Sequence, residues 1–424
     1  MLASSRPRTL PLALPLLPLA LMALTLGASS AAAQNQIEAL GGTYQERVQR
    51  IEGSEGKLVV RTAGRSLPLD TVKSIRFGAA GRVKPGQAKL ILLDGATLRG
   101  TLEAGNEDVI GFKSDALGAL RISIEQIRGV IPQSSSLEEE RALEERLAAK
   151  STADMVVLEK GGELRGSVVS IDGAKVKIDT DTDGGSGLGV LSYDLIKVKL
   201  ISIVPLDEPK PLEGLLVAVR LIDGSSLRAK PLSLDDEALV VEHPIGDKGK
   251  LSISRPRLES LRVQNGRFAY LSDLTPAQVE QRFPPEFTFE PEVWGFKKDA
   301  NVAGGPLRLD GRTFAKGLGV HSYSKLTYRL DGQYRRFNAL VGLDDGVKYL
   351  GEPGFGGVVF RILVDGKPVK DLAEGLRIRK GEDPKPVSID VSGKKTLTLI
   401  ADFDPVSLHV LGRANWADAH LIKK

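Results

Sequence analysis

The chain has 424 residues, a formal net charge of +4 and no cysteine. Without thiols it has no disulfide, thiolate metal site, cysteine nucleophile or lipoprotein anchor. The charge comes from 58 Lys/Arg against 54 Asp/Glu, a mild average excess rather than the clustered basic surface that phosphate binding needs, so nucleic acid is not expected as a partner.

Residues 1–33 read as a signal peptide. Arg6 and Arg8 form a basic head, Thr9 to Gly27 is apolar, and Ala31 and Ala33 are the small residues a signal peptidase requires, which predicts cleavage after Ala33. Pro11, Pro15 and Pro18 each remove a helical hydrogen bond from the apolar run, which argues against an uncleaved membrane anchor. No other stretch has the apolar length of a span. The expected location is secreted or periplasmic, with no membrane span after cleavage.

The front half repeats itself. LILLDGATLRG (Leu90–Gly100), MVVLEKGGELRG (Met155–Gly166) and LVAVRLIDGSSLRA (Leu216–Ala229) align on Gly95, Gly161 and Gly224, each followed by Leu-Arg: Leu98-Arg99, Leu164-Arg165 and Leu227-Arg228. An apolar run meeting a Gly-containing turn predicts a β-hairpin. Spaced aliphatics close the units, such as Ile124, Ile127 and Val130, or Leu258, Leu261 and Val263. The pattern predicts small antiparallel barrels of SH3-like or Sm-like shape at 86–133, 154–206 and 214–264, after a partial repeat at 41–78 that ends on Leu69, Val72 and Ile75. Such a shape carries no function with it.

Residues 134–153 are expected to form a charged helical spacer, with Ser136 as cap and Glu139 as its third residue. DTDTDG (Asp179–Gly184) copies the start of an EF-hand loop, but its twelfth position is Val190 where a bidentate carboxylate is needed. It reads as a solvated acidic hairpin loop.

Beyond Gln264 lie both tryptophans, Trp294 and Trp416. KLTYRL, VVFRILV, VSIDV and TLTLIA alternate with Asp-Gly or Ser-Gly turns and predict a β-sandwich. The segments FAKGLGVHSYSKLTYRLDGQYRRFNALVGLDD, GGVVFRILVDGKPV, VSIDVSGKKTLTLIADF and ANWADAHLI follow in order. Over residues 267–424 the chain resembles the NPCBM/NEW2 family, which implies a carbohydrate-binding-module-like domain with a galactose-binding-like jelly-roll fold. The expected class is therefore all-β: tandem small SH3-like/Sm-like barrels followed by a jelly-roll β-sandwich.

In FAKGLGVHS, Gly317 and Gly319 are expected to permit close backbone packing, since the spacing matches neither a dinucleotide nor a Walker loop. His321 is either a hydrogen-bonded structural residue or a ligand contact; no triad or H-E-x-x-H surrounds it. Trp416 and Trp294 each offer a flat face for a sugar ring or fill the core. Asp344 and Asp345 accept sugar hydroxyls, ligate calcium or end a strand. Asp418 matches the aspartate of the family's terminal WADA, whereas Asn415 stands where members commonly carry aspartate. The candidate carbohydrate-binding residues are thus His321, Asp344, Asp345, Trp416 and Asp418, and the resemblance admits a structural Ca²⁺.

Adjacent Asp344 and Asp345 would point to opposite faces of a strand, a poor arrangement for the paired carboxylates of a glycosidase. The repeats also leave no segment for a catalytic domain. The expected protein is no enzyme; it recognises a glycan or cell-surface polysaccharide. The alternative is a cell-envelope scaffold with protein partners and no sugar affinity.

Overall fold

The computed structural model describes residues 34–424 apart from 55, 79, 80, 82, 85, 150, 183–185, 208–210, 284, 285, 287, 348, 349 and 352–354. The expected signal peptide lies outside the described residues. Among the described residues, no helix is long and apolar enough to cross a membrane.

The aligned glycines Gly95, Gly161 and Gly224 have φ of +85°, +83° and +87°, a left-handed conformation that glycine adopts without steric cost. Their N–H groups donate to Leu92, Leu158 and Leu221 at 3.1, 3.0 and 3.0 Å, closing the hairpins.

Four units share one plan. Unit 1 holds β1 (Asn35–Ala39), β2 (Gly42–Glu46), β3 (Val48–Glu52), β4 (Val59–Thr62), β5 (Ser66–Pro68) and β6 (Val72–Arg76). Unit 2 holds β7 (Ala88–Leu92), β8 (Thr97–Glu103), β9 (Val109–Ser114), β10 (Gly118–Ser123) and β11 (Ile127–Ile131). Unit 3 holds β12 (Asp154–Leu158), β13 (Glu163–Ile171), β14 (Lys175–Asp179), β15 (Val190–Asp194) and β16 (Val198–Ser202). Unit 4 holds β17 (Leu216–Leu221), β18 (Ser226–Leu234), β19 (Ala238–Asp247), β20 (Lys250–Ser254) and β21 (Leu258–Gln264). In each, a single 3₁₀ turn precedes the last strand, which pairs antiparallel with the first. The repeat expected to be partial is complete, because β1 precedes the expected start at residue 41. It was obscured because its first hairpin, which turns at Leu40–Gly41, lacks the Leu-Arg pair that follows the aligned glycine in the others.

The last strands also join the units, in a nested order. β11 pairs with β16 (Val130↔Ile201) and β6 with β21 (Ile75↔Leu261), so unit 2 joins unit 3 and unit 1 joins unit 4. Ser226↔Thr97 links the two pairs. Ile37, Leu90, Val156 and Val217, one from each first strand, are fully buried in a shared core.

Helix α1 (Leu137–Ala148) starts as its cap predicts, Ser136 Oγ accepting from Glu139 N at 3.1 Å. It is not a detached spacer. Leu147 covers Gly129 and packs with Ile131, Met155, Val157 and Leu200 across the β11–β16 seam. Glu140, 4 % exposed, accepts from Lys89 at 2.8 Å and from Arg99 Nη1 at 3.0 Å. Burial pushes its carboxyl up, but Arg99 and Lys89 outweigh it and hold the group below its ordinary pKa. The acidic motif lies in the β14–β15 hairpin, where Asp179 faces Val190; its residues 183 and 184 are outside the described set.

The rest folds as two antiparallel sheets. One contains β22 (Phe268–Tyr270), β24 (Lys297–Lys298), β27 (Gly317–His321), β29 (Tyr334–Leu343), β33 (Lys385–Asp390) and β35 (Arg413–Lys423). The other contains β23 (Gln278–Gln281), β28 (Ser324–Arg329), β30 (Gly357–Val364), β31 (Lys367–Pro368), β32 (Leu376–Arg379) and β34 (Thr396–Phe403). A small ribbon, β25 (Leu307–Leu309) and β26 (Arg312–Phe314), stands apart. Val320, Phe337 and Trp416 of the first sheet meet Tyr328, Phe360 and Leu399 of the second in one apolar core.

Candidate functional site

The FAKGLGVHS segment is the entry into β27. Leu318 and Val320 point into the core, so Gly317, Gly319 and His321 share the opposite face. A Cβ on Gly319 would stand 2.3 Å from the Ala300 carbonyl oxygen, and one on Gly317 would stand 2.5 Å from that of Trp416. The glycines let neighbouring backbone close over this strand.

At the end of the sheet His321 faces Arg413 across the β27–β35 ladder. The short helix α2 (Pro291–Trp294), with proline at its first position, sets Trp294 over the pair. The Trp294 ring lies 4.8 Å from His321, and the Arg413 guanidinium 5.1 Å from the Trp294 centroid. Phe283 completes the nest at 5.1 Å from His321, 5.3 Å from Phe289 and 5.4 Å from His409.

Electrostatics fix the state of His321. Burial pushes its pKa down to about 4, with His409 and Arg413 adding to the effect against the Ser322 carbonyl. The imidazole is neutral at pH 7. Its Nδ1 sits 2.7 Å from the Ser322 carbonyl oxygen, which only accepts, so Nδ1 carries the proton and Nε2 keeps a lone pair.

One rim of the nest is the loop after β34. Asp404 anchors it, accepting from Arg377 at 2.6 and 3.1 Å, from Val406 N at 2.9 Å and from Ser407 N at 2.8 Å. Burial opposes the Asp404 charge, but these donors hold its carboxyl far below the usual carboxylate range. Val406, 65 % exposed, stands on this loop with exposed Leu408 and Val410, while Leu350 and Phe355 are exposed on the neighbouring loop. The result is an aromatic cluster with exposed apolar residues beside it, a neutral imidazole and a guanidinium donor.

Of the five residues expected from sequence, only His321 belongs to this nest. Trp416 is 1 % exposed and meets Phe360 edge-on at 5.0 Å; buried in the core, its face is closed to a sugar. Asp344 lies near by, its backbone N–H donating to Arg413, but its carboxylate is buried. That carboxylate accepts from Asn415 Nδ2 at 2.7 Å, Gly346 N at 2.9 Å, Asn301 Nδ2 at 3.1 Å and Arg308 N at 3.4 Å. Asp345 accepts from Asp310 N at 2.9 Å and Gly311 N at 2.8 Å, closing the β25–β26 turn. Asp418 is far from the nest, where it ion-pairs with Lys73 of unit 1. Both carboxylates considered for calcium thus accept hydrogen bonds from N–H donors. Among the described residues, no three His, Cys, Asp or Glu converge as a metal site.

Phe283, Phe289, His409 and Arg413 were missed by sequence reasoning. A usable signal lay in RFPPEFTFEPEVW (Arg282–Trp294), where aromatics sit among prolines without strand alternation. Such rings are not placed in a sheet core.

A second cavity, of about 1030 Å³, lies among units 2, 3 and 4 and contains His243. His243 Nε2 is 2.9 Å from Asp94 Oδ2, and Nδ1 accepts from Ile245 N at 3.3 Å. With Nδ1 accepting from Ile245 N, the lone pair a general base would use is taken.

Comparison with known proteins bears on the sandwich. The family model for the NPCBM/NEW2 domain matches residues 268–422. A curated protein of Renibacterium salmoninarum, named "Putative endo-alpha-N-acetylgalactosaminidase", is 32% identical over 102 residues, covering 24% of this chain and 6% of that protein. The CBM51 from Clostridium perfringens GH95, solved in complex with methyl-galactose, is 24% identical over 36% of this chain and 99% of its own, with a TM-score of 0.30. The tandem CBM51 modules of Sp3GH98 from Streptococcus pneumoniae are 14% identical over 79% of this chain and 88% of theirs, with a TM-score of 0.31. At those scores the two structures add nothing to the geometry above. The family match covers the whole sandwich, from β22 into β35, and residues 268–422 of this chain are an NPCBM/NEW2 domain.

Proposed function

We propose that the protein is an exported, noncatalytic glycan-binding protein whose sugar site is the aromatic nest of Phe283, Trp294, His321 and Arg413. The observation that carries this reading is the cluster of Trp294, His321 and Arg413 at the end of the sheet, the two rings tilted at 60° and the guanidinium over the indole. An aromatic face takes the C–H side of a pyranose, the His321 Nε2 lone pair accepts a hydroxyl, and the guanidinium donates to ring or hydroxyl oxygens. The NPCBM/NEW2 match over residues 268–422 supports it. The nearby carboxylates of Asp344, Asp345 and Asp404 are all engaged by N–H donors, which argues against these three as the acid–base pair of a glycosidase. On this reading the site needs no calcium at Asp344 or Asp345, the four units are SH3-like barrels that carry the sandwich, and residues 1–33 direct export.

A glycan array probed with the full chain, with and without calcium, tests the proposal. The expected result is a defined glycan hit whose affinity falls at least about tenfold in Trp294→Ala and in Arg413→Ala, the loss of about 1.4 kcal/mol that one stacking or charged contact supplies. Absence of any hit from folded protein, or binding indifferent to Trp294→Ala, would overturn it. That outcome favours the scaffold reading, for which the exposed Leu188, Val190 and Ile196 of unit 3 supply an apolar protein-contact surface.

A further inference from the structure

We propose that the junction between unit 4 and the sandwich is a second binding site, for an oligosaccharide carrying carboxylate or sulfate groups. A cleft of about 670 Å³ opens there between β21, the Phe268–Leu274 segment, Lys316 and the end of β35, a volume in the range of small-ligand pockets. Lys316 precedes β27 and His321 ends it, so the two sites approach to about 16 Å along that strand.

Charge selects the ligand class. Arg228, Arg262, Lys316 and Lys423 line the cleft against only two carboxylates, Asp94 and Asp273. Those carboxylates already have partners: Lys316 holds Asp273, and His243 lies 2.9 Å from Asp94. The Arg262 guanidinium and the Lys423 ammonium make no hydrogen bond or ion pair among the described residues. Arg228 donates to the Asp94 carbonyl oxygen at 2.6 Å, with the Asp94 carboxylate close enough to feel its charge, so the uncompensated cations of the cleft are Arg262 and Lys423. The ammonium groups of Lys73 and Lys316 stand 5.8 and 5.7 Å from the Tyr270 ring in the same wall, but carboxylates already hold both, Glu38 and Asp418 the first and Asp273 and Asp299 the second. A concave surface with unpaired cations concentrates anions, and a guanidinium grips their paired oxygens.

The neutral lining suits a sugar. Gln264 and Tyr334 supply hydroxyl partners, and Phe268 and Leu274 supply apolar surface. That the ligand is a saccharide rests on the glycan reading above; that it is anionic rests on this cleft alone.

Calorimetry with the full chain provides the test. The probes are tetragalacturonate, its neutral methyl ester, and a sulfated carrageenan tetrasaccharide that lacks carboxylates. At least one acidic probe is expected to bind, about tenfold or more tighter than the ester, and to weaken between about 50 and 500 mM salt. The two acidic probes then distinguish uronate from sulfate as the source of charge. Arg262→Gln and Lys423→Gln should each weaken binding about tenfold, while Trp294→Ala leaves it unchanged. Both altered residues are partly exposed, and tryptophan fluorescence checks the fold. Failure of both acidic probes to bind, indifference to both charge substitutions, or loss in Trp294→Ala would overturn the second site. Loss of array binding in Trp294→Ala, with acidic binding intact, would separate the two sites.

Discussion

Acid should loosen the sandwich in large part through the buried imidazole of His321. His321 has a pKa of about 4 in the folded protein against an ordinary 6.5, because burial beside Phe283 and Trp294 disfavours its charged form and Arg413 and His409 repel a proton. Between those values the unfolded chain binds the proton and the folded chain does not. The stabilisation is therefore fully present above about pH 6.5 and is lost as pH falls toward 4. At about 1.4 kcal/mol per pH unit, the loss is about 3 kcal/mol. Urea unfolding followed by tryptophan fluorescence reads it, since Trp294 and Trp416 both lie in the sandwich and the four units carry no tryptophan. A His321→Gln variant provides the reference, because its carboxylates titrate as those of the parent do. The parent should lose about 3 kcal/mol more than the variant between pH 7 and 4. Equal losses, or an imidazole NMR signal for His321 that titrates near 6.5, would refute the reasoning.

Two further substitutions probe buried polar groups. Asp344→Ala strips an acceptor from the side-chain amides of Asn301 and Asn415 and from two backbone N–H groups, and should cost the sandwich about 3 kcal/mol or more in the same urea assay. Asp344→Asn keeps one oxygen but turns a second donor toward those amides, and should fall between the two. Glu140→Ala leaves Lys89 and Arg99 buried without their shared carboxylate, a loss of about 3–5 kcal/mol. Hydrogen exchange at β7, β8, β11 and β16 should accelerate while the sandwich amides stay protected.

The hairpins were legible because a turn with φ > 0 demands glycine, and Gly95, Gly161 and Gly224 supply it at matching places. The sandwich was legible because its motifs are long and ordered. The partners of each strand beyond its own unit were not, since β6 and β11 read as ordinary apolar strands and nothing in their residues names β21 or β16. The docking of α1 was hidden for a similar reason: Glu140 looks like one more charge in LEEERALEER until Lys89 and Arg99 are folded beneath it. Trp416 was ambiguous because an aromatic in a strand serves a core or a surface equally well. Alternation with Ala414 assigned it to the core side only once the register of β35 was known.

The nested pairing gives the chain a history as it emerges, N-terminus first, into the compartment where it folds. Units 2 and 3 can zip together soon after both emerge, but β6 must wait for Leu258–Gln264 before its outer edge is covered. Throughout that wait, Val72–Arg76 offers an open edge to any strand in reach, including the β21 of a neighbouring copy. A chain truncated before Leu258 should therefore show rapid amide exchange along β6 and a tendency to dimerise, whereas one that includes Gln264 should show neither. Survival of the array thus depends on its first and last units finding one another within the same molecule.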